Sequence, residues 1–415
     1  MDDGADSADE FFRDDDFIAT NSVLMAKTES QIDRDLEEEE TLQSSSTANL
    51  MTNTTTSSFI LNSLRSNKTA LFCRSLLDPL QLRELLACSL SFANFHLITH
   101  LDISACNLAT REAVDLGANM PQGLISLDVS ENHIGSEGAS ALLSSLTVDS
   151  KLLGLAMSQN KISDLRIFKK ESEKKQNEEG EGKAMELDGE KEEAPASKDH
   201  MKSKKLVRKY TFNTKLAKNS SLKLTSLNLS GNSLTATVFD GDGAVWPNLA
   251  NLLELNMGWN NLRESGCIKC ARVFLNSSAS PRNRLQTLEL PFNGISTAGG
   301  TEISRLLETK KTLLNLDLSR NRLGGECAIS FADLLKSHNK TLRTLRLSYN
   351  ELGVEATKSL VEACLENDSI LQLRVENTAN LDDIKPTVET VVTAKNKASQ
   401  KRRSKERFVC SYRFP

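Results

Sequence analysis

Residues 313–323 read LLNLDLSRNRL and residues 342–352 read LRTLRLSYNEL. Superimposed, they share L-x-x-L-x-L-x-x-N-x-L, and LTSLNLSGNSL at 224–234 carries it again. Working outward, nine segments follow the pattern, beginning at Ile98, Leu124, Leu152, Leu224, Leu252, Leu285, Leu313, Leu342 and Ile370. The Asn place is filled by Cys106, Asn132, Asn160, Asn232, Asn260, Asn293, Asn321 and Asn350, at spacings of 26, 28, 72, 28, 33, 28 and 29. The ninth segment, ILQLRVENT, has Thr378 there and reads as a terminal, capping unit. Self-similarity at a period near 28 predicts a stack of units rather than one globule.

Each part of the pattern has a physical job. The L-x-L alternation makes a short strand with leucines toward the core. A buried Asn can pair the backbone groups of the sharp turn that follows, and Cys106 can replace it as a small buried polar residue. Amphipathic helices come next, in GSEGASALLSSL (135–146), GGTEISRLLETK (299–310), GGECAISFADLLKSH (324–338) and GVEATKSLVEACLEN (353–367). In the last, Ala356, Leu360, Val361 and Cys364 fall on one face. No unit can bury its apolar side alone, so neighbours must stack. The fold class is α/β: a curved, horseshoe-like solenoid with parallel strands on the concave face and helices on the convex face.

The repeat length and the L-x-x-L-x-L-x-x-N-x-L-x-x-x-G/A signature resemble the ribonuclease-inhibitor-type leucine-rich repeats, a class that includes Ran GTPase-activating proteins and the sensing ends of some immune receptors. The resemblance covers about residues 95–378. It implies a binding surface and no particular partner, because that repeat serves many unrelated ones.

Residues 95–380 form the repeat domain on this reading. Residues 1–56 are expected to be a disordered acidic tail, since the first 40 residues hold 15 acidic and three basic side chains. Residues 57–94 are expected to be a helical cap, from FILNSLRS and PLQLRELLACSL. The spacing of 72 is explained by a charged, disordered insertion at 168–209 that loops out from the convex side. Residues 381–415 are assigned to a C-terminal cap and basic tail, in which 395–407 carry seven basic and one acidic side chain. That stretch reads as a nuclear-import signal, a dock for an acidic partner, a solvated tail, or a segment folded onto the acidic N-terminus.

The net charge of -5 predicts no bulk attraction to nucleic acid. No apolar run approaches the roughly 18 residues that span a bilayer, and the acidic start is unlike a secretory signal. The protein is therefore expected in the cytoplasm or nucleus, monomeric, with its eight cysteines reduced. The Asn-x-Ser/Thr matches at Asn276 and Asn339 are then chance hits.

No catalytic constellation stands out. The CxxC at Cys267 and Cys270 lacks two further ligands and reads as two small buried residues on a helix, so neither metal nor cofactor is expected. EGEGK (179–183) lacks the spacing of a phosphate loop. The resemblance leaves one enzymatic alternative, a GTPase-activating protein that rearranges a small GTPase's own catalytic residues. The Ran activators carry their acidic run after the repeats, whereas here it comes before them.

The informative surface is the concave face. Side chains alternating with the strand leucines leave the sheet there, among them Asp102, Asp128, Asn228, Glu254, Asn256, Glu289, Asp317, Arg346 and Arg374. The residue before each ladder Asn lies at the rim. In the last four repeats it is Trp259, Phe292, Arg320 and Tyr349, in a chain with only two Trp and three Tyr. Adjacent strands sit about 5 Å apart, so these four should form one ridge. Trp, Tyr and Arg are the usual hot-spot residues. The alternative is that the rings shield the turn from water. Trp246, in DGDGAVWP, is expected to pack locally. The function expected is a non-enzymatic scaffold or adaptor gripping a protein partner.

Overall fold

The computed structural model describes residues 70–72, 98–147, 149–166, 168–169, 211–212, 222–240, 245–275, 283–308, 310–401 and 407–412. The chain divides into two units, Met1–Thr55 and Thr56–Pro415, and the described residues belong to the second. The expected acidic tail, most of the expected helical cap and the body of the insertion lie outside the described residues.

Each repeat strand is an x-L-x triplet whose middle leucine is buried and whose first residue is half-buried on the open face. In chain order the strands are β1 (Ala70–Phe72), β2 (His100–Asp102), β3 (Ser126–Asp128), β4 (Gly154–Ala156), β5 (Phe168–Lys169), β6 (Thr211–Phe212), β7 (Ser226–Asn228), β8 (Glu254–Asn256), β9 (Thr287–Glu289), β10 (Asn315–Asp317), β11 (Thr344–Arg346), β12 (Gln372–Arg374) and β13 (Val409–Ser411). All but β5 and β6 join one eleven-stranded parallel sheet in sequence order. Its register places equivalent residues side by side, as in Asn256↔Glu289, Asp317↔Glu289 and Arg346↔Arg374.

The helix side carries α1 (Thr110–Ala118), α2 (Gly135–Ser145), α3 (Arg263–Phe274), α4 (Thr297–Leu307), α5 (Gly325–Asp333), α6 (Val354–Glu366) and α7 (Leu381–Lys401). After α5 the chain widens into a π turn, where the Asn339 N–H reaches the Leu334 carbonyl at 3.0 Å. The repeat of β7 has two 3₁₀ turns, Ala236–Phe239 and Trp246–Asn248, where the repeat of β8 has a helix. Strands pack about 4.8 Å apart and helices about 8–10 Å apart, so such a stack bends with its strands inside. Between the layers run continuous leucine columns, such as Leu285, Leu313 and Leu342, all fully buried. Each buried leucine contributes roughly 2 kcal/mol, realised only when the next unit closes over it. Among the described residues no helix is long and apolar enough to cross a membrane.

The sheet runs unbroken past the insertion, since β4 pairs directly with β7. The two ends of the insertion meet, Phe168 opposite Phe212 and Lys169 opposite Thr211, in an antiparallel ladder. β5 lies against α2, on the helix side.

Both ends of the sheet differ from expectation. Within the span assigned to a helical cap, residues 70–72 are a strand paired with β2. At the other end, within the span 381–415, α7 packs on α6, and β13 extends the sheet beyond β12. An open sheet edge exposes unpaired N–H and C=O groups, and a further strand satisfies them whatever its sequence. That is why the signature misses both. At the pattern's leading-leucine and Asn places, β1 has Lys68 and Leu76, and β13 has Arg407 and Pro415.

The basic stretch starting at Lys395 is partly structural. Ile384, Val388 and Val391 bury one face of α7. Beyond them the Lys395 ammonium donates to the carbonyls of Cys364, Asn367 and Ile370 at 2.8, 2.6 and 3.0 Å. It also sits 4.7 Å from the centre of the Phe408 ring. Asn396 then brackets Phe408, accepting from its N–H at 3.0 Å and donating to its carbonyl at 3.2 Å. Residues 402–406 of that stretch lie outside the described residues.

Candidate functional site: the strand face and its rim

The rim is built by the asparagine ladder. Asn321 accepts from the N–H groups of Asn293 and Ile295 at 2.9 and 3.0 Å. Its amide donates to the carbonyls of Leu290, Leu318 and Ser319 at 3.0, 2.9 and 3.1 Å. Asn132, Asn160, Asn232, Asn260, Asn293 and Asn350 bond in the same manner between successive repeats. Cys106 fills the place with its thiol donating to the Ser104 carbonyl at 3.3 Å.

To bring that Asn inward, the residue before it turns left-handed in every repeat. φ is +52° at Ala105, +57° at Glu131, +52° at Gln159 and +65° at Gly231, then +55° at Trp259, +56° at Phe292, +56° at Arg320 and +58° at Tyr349. The N–H of each donates to the next repeat's backbone, for example Trp259 to the Pro291 carbonyl at 2.8 Å. For an L-residue this conformation costs about 1 kcal/mol, and glycine or asparagine relieves it. The chain uses glycine once, at Gly231, and places its four largest rim side chains in consecutive repeats at the same strained position.

The four form two pairs. The Trp259 and Phe292 rings stack with centroids 3.9 Å apart and planes 9° apart. The Arg320 guanidinium lies 4.3 Å from the centre of the Tyr349 ring. Phe292 keeps 42% of its surface exposed. Trp246 is different: it is buried, its Nε1–H donates to the Val238 carbonyl at 2.8 Å, and it packs on Phe239 and Phe274.

On the strand face the polar residues divide by job. Asp102, Asp128, Asn228, Asn256 and Asp317 each accept from the N–H two residues on, at 2.8–3.0 Å. These Asx turns explain the residues without a ligand. Glu289 breaks the rule because the residue two on is Pro291, which has no N–H. Arg346 and Arg374 break it too. They lie side by side, with Arg374 exposed. Arg346 Nη1 is 3.4 Å from Asp317 Oδ2 and 3.9 Å from Glu289 Oε1. Its Nε is buried with no acceptor among the described residues. Burial pushes the Glu289 carboxyl up to about 7; the charges of Asp317 and, less, Glu254 add to this, and Arg346 opposes it. Glu376, which accepts from the Ser348 hydroxyl, is also raised by burial. Sequence reasoning passed over it because it precedes the rim of a repeat that lacks the Asn.

The CxxC thiols lie inside the helix layer. Cys267 donates to the Gly299 carbonyl at 3.6 Å, and burial pushes Cys270 up to about 12. Among the described residues no group of His, Cys, Asp and Glu is placed to hold a metal. The Asn339 match is an Asx turn: fully buried, Asn339 accepts from the N–H of Thr341 and of Leu342. Asn367 repeats this with Ser369 and Ile370. This second asparagine site, where helix returns to strand, was missed because the pattern search covered only the strand-to-helix turn.

Two family models described as leucine-rich repeats match the chain, one at residues 124–143, 309–332 and 338–361, the other at 223–242. The ribonuclease inhibitor of Sus scrofa is 38% identical over 79 residues, 19% of this chain. The match spans only 16% of that protein's length. Among solved structures, the leucine-rich repeat-containing protein LegL7 from Legionella pneumophila is 19% identical, with a TM-score of 0.38, over 78% of this chain and 89% of its own. An internalin (inlF) from Listeria monocytogenes is 13% identical, with a TM-score of 0.37, over 73% and 68%. Leiomodin-1 actin-binding site 2 is 17% identical, with a TM-score of 0.32, over 38% and 88%. None of the three aligns closely enough to transfer a residue or a ligand. The chain carries leucine-rich repeats and is similar to ribonuclease-inhibitor-like repeat proteins. Proteins of this kind generally mediate protein–protein interaction and are typically not enzymes.

Proposed function

We propose that this chain is a non-enzymatic scaffold or adaptor, acting inside the cell, whose protein partner rests on the strand face and rim between Glu254 and Arg374. One observation carries the reading. Trp259, Phe292, Arg320 and Tyr349 carry large aromatic and guanidinium side chains at the left-handed rim position of four consecutive repeats, where the first four have Ala, Glu, Gln and Gly at similar φ. Clustered aromatic and Arg side chains at a surface are the usual anchors of an interface. The charged group behind it supports the same reading: Glu289, Arg346 and Arg374 serve no turn, and Arg346 lies among carboxylates that a partner's cations could meet. Large aromatic and Arg anchors each cost about 2 kcal/mol or more when truncated at an interface.

The test is affinity capture with the wild type and with Trp259→Ala/Tyr349→Ala, both checked for folding by circular dichroism. Proteins retained by the wild type and lost from the variant are the expected concave ligands. Matching captures from two folded baits would remove the rim from the binding surface.

A further inference from the structure

Beside the rim, on the turn that leads toward the helices, lies a pocket of about 390 Å³ between the repeats of β8, β9 and β10. Its charged lining is of one sign: Arg263, Arg320 and Arg322, with no carboxylate. Asparagine side chains, Gly294 and the Phe292 ring complete the wall. Arg263 and Arg322 are exposed, and neither forms an ion pair among the described residues; Arg263 Nε donates only to the neutral Asn261 side chain, at 2.9 Å. Arg320 reaches the pocket from its seat on Tyr349. Gly294, at φ +63°, leaves the mouth clear, since a Cβ there would meet nothing within 4 Å. The repeats supply an internal control: the corresponding places in the first four hold one lysine, Lys161, and no arginine.

Arg263 and Arg322, which cannot deprotonate, keep their positive charge at the pocket whether or not an anion enters. A carboxylate brings one negative charge, whereas a phosphate monoester brings nearly two, matching this pair, and three acceptor oxygens suited to paired N–H donors. We propose that this pocket receives a phosphorylated side chain of the protein partner, making the interaction depend on phosphorylation of that partner. The proposal rests on the strand-face reading above, because Phe292 and Arg320 belong to both the rim and the pocket.

The probe is the peptide acetyl-Gly-phosphoserine-Gly-amide, followed by ³¹P line broadening on titration with full-length protein at fixed ionic strength. The wild type is expected to broaden and shift the line saturably, and inorganic phosphate to reverse this. Arg263→Gln/Arg322→Gln, at exposed positions, should weaken the effect at least tenfold with thermal unfolding unchanged. Lys161→Gln, exposed at the corresponding place of the third repeat, should stay within threefold of wild type, and because the capture experiment reads the rim separately, failure of the rim is distinguishable from failure of the pocket. The proposal is overturned if the double arginine variant binds as wild type does. It is equally overturned if the same peptide with glutamate for phosphoserine competes as well. A single-stranded RNA octamer that displaces the phosphopeptide at lower concentration through the same arginines would reassign the pocket to nucleic acid.

Discussion

A single carboxamide such as Asn321 closes five backbone hydrogen bonds, joining its own turn to the repeat before it. Asn321→Ala should therefore cost about 2–4 kcal/mol in chemical denaturation, since buried groups left unpaired cost about 1–3 kcal/mol each and some will find water. A loss below about 1 kcal/mol would mean that the turn repairs itself. Glu289 makes a prediction of opposite sign to the usual carboxylate. Its pKa is near 7 in the folded chain against an ordinary 4.5, so the folded state holds the proton more tightly. That stabilisation is complete below about 4.5 and is lost as the pH rises through 7. Compared with Glu289→Gln, the wild type should lose about 2–3 kcal/mol across that window. Parallel stability profiles for the two proteins would place the carboxyl in water. The identities of the rim residues were legible from the count to the ladder Asn. Their left-handed backbone was not, because glycine, its usual marker, occupies only one of the eight places.

At the scale of elements, helix α4 shows why small residues sit where they do. A Cβ at Gly300 would lie 2.5 Å from the Cys327 sulfur and 2.7 Å from Leu323 Cδ2, and one at Gly299 would lie 3.5 Å from the Cys267 sulfur. Glycines on α4 thus face Cys267 on α3 and Cys327 on α5. Gly300→Ala should destabilise by about 1–3 kcal/mol through overpacking. Cys327→Ala in the same chain should restore part of it, and strictly additive effects in the double-mutant cycle would show that the close approach is not the cause. The helices themselves were readable from their period. The 3₁₀ turns of the β7 repeat were not, because Trp246 fills from one side the space a helix would occupy and caps Val238 with its indole N–H.

At the scale of the whole repeat stack, stability is a sum over neighbours, and the terminal unit matters as the cover of the one before it. Truncation after residue 380 removes α7 and β13, uncovers α6 and reopens the β12 edge. Hydrogen exchange should accelerate in β11 and β12, and the truncated protein should self-associate in sedimentation. Unchanged exchange there would show that the terminal unit is dispensable. The same piece changes the meaning of the basic stretch, whose first residue, Lys395, is committed to three carbonyls and is no longer a free tail charge.

The amino-acid order alone determined the repeat, its leucine columns, its asparagine ladder and the side chains that reach the rim, because each depends on local periodicity that every unit restates. Only the folded chain decided the rest: which strands close the two ends, which rim residues pair, and which carboxylates and guanidiniums share a space. Those outcomes depend on what the neighbouring repeat presents across a gap of a few ångströms, and no single unit encodes that.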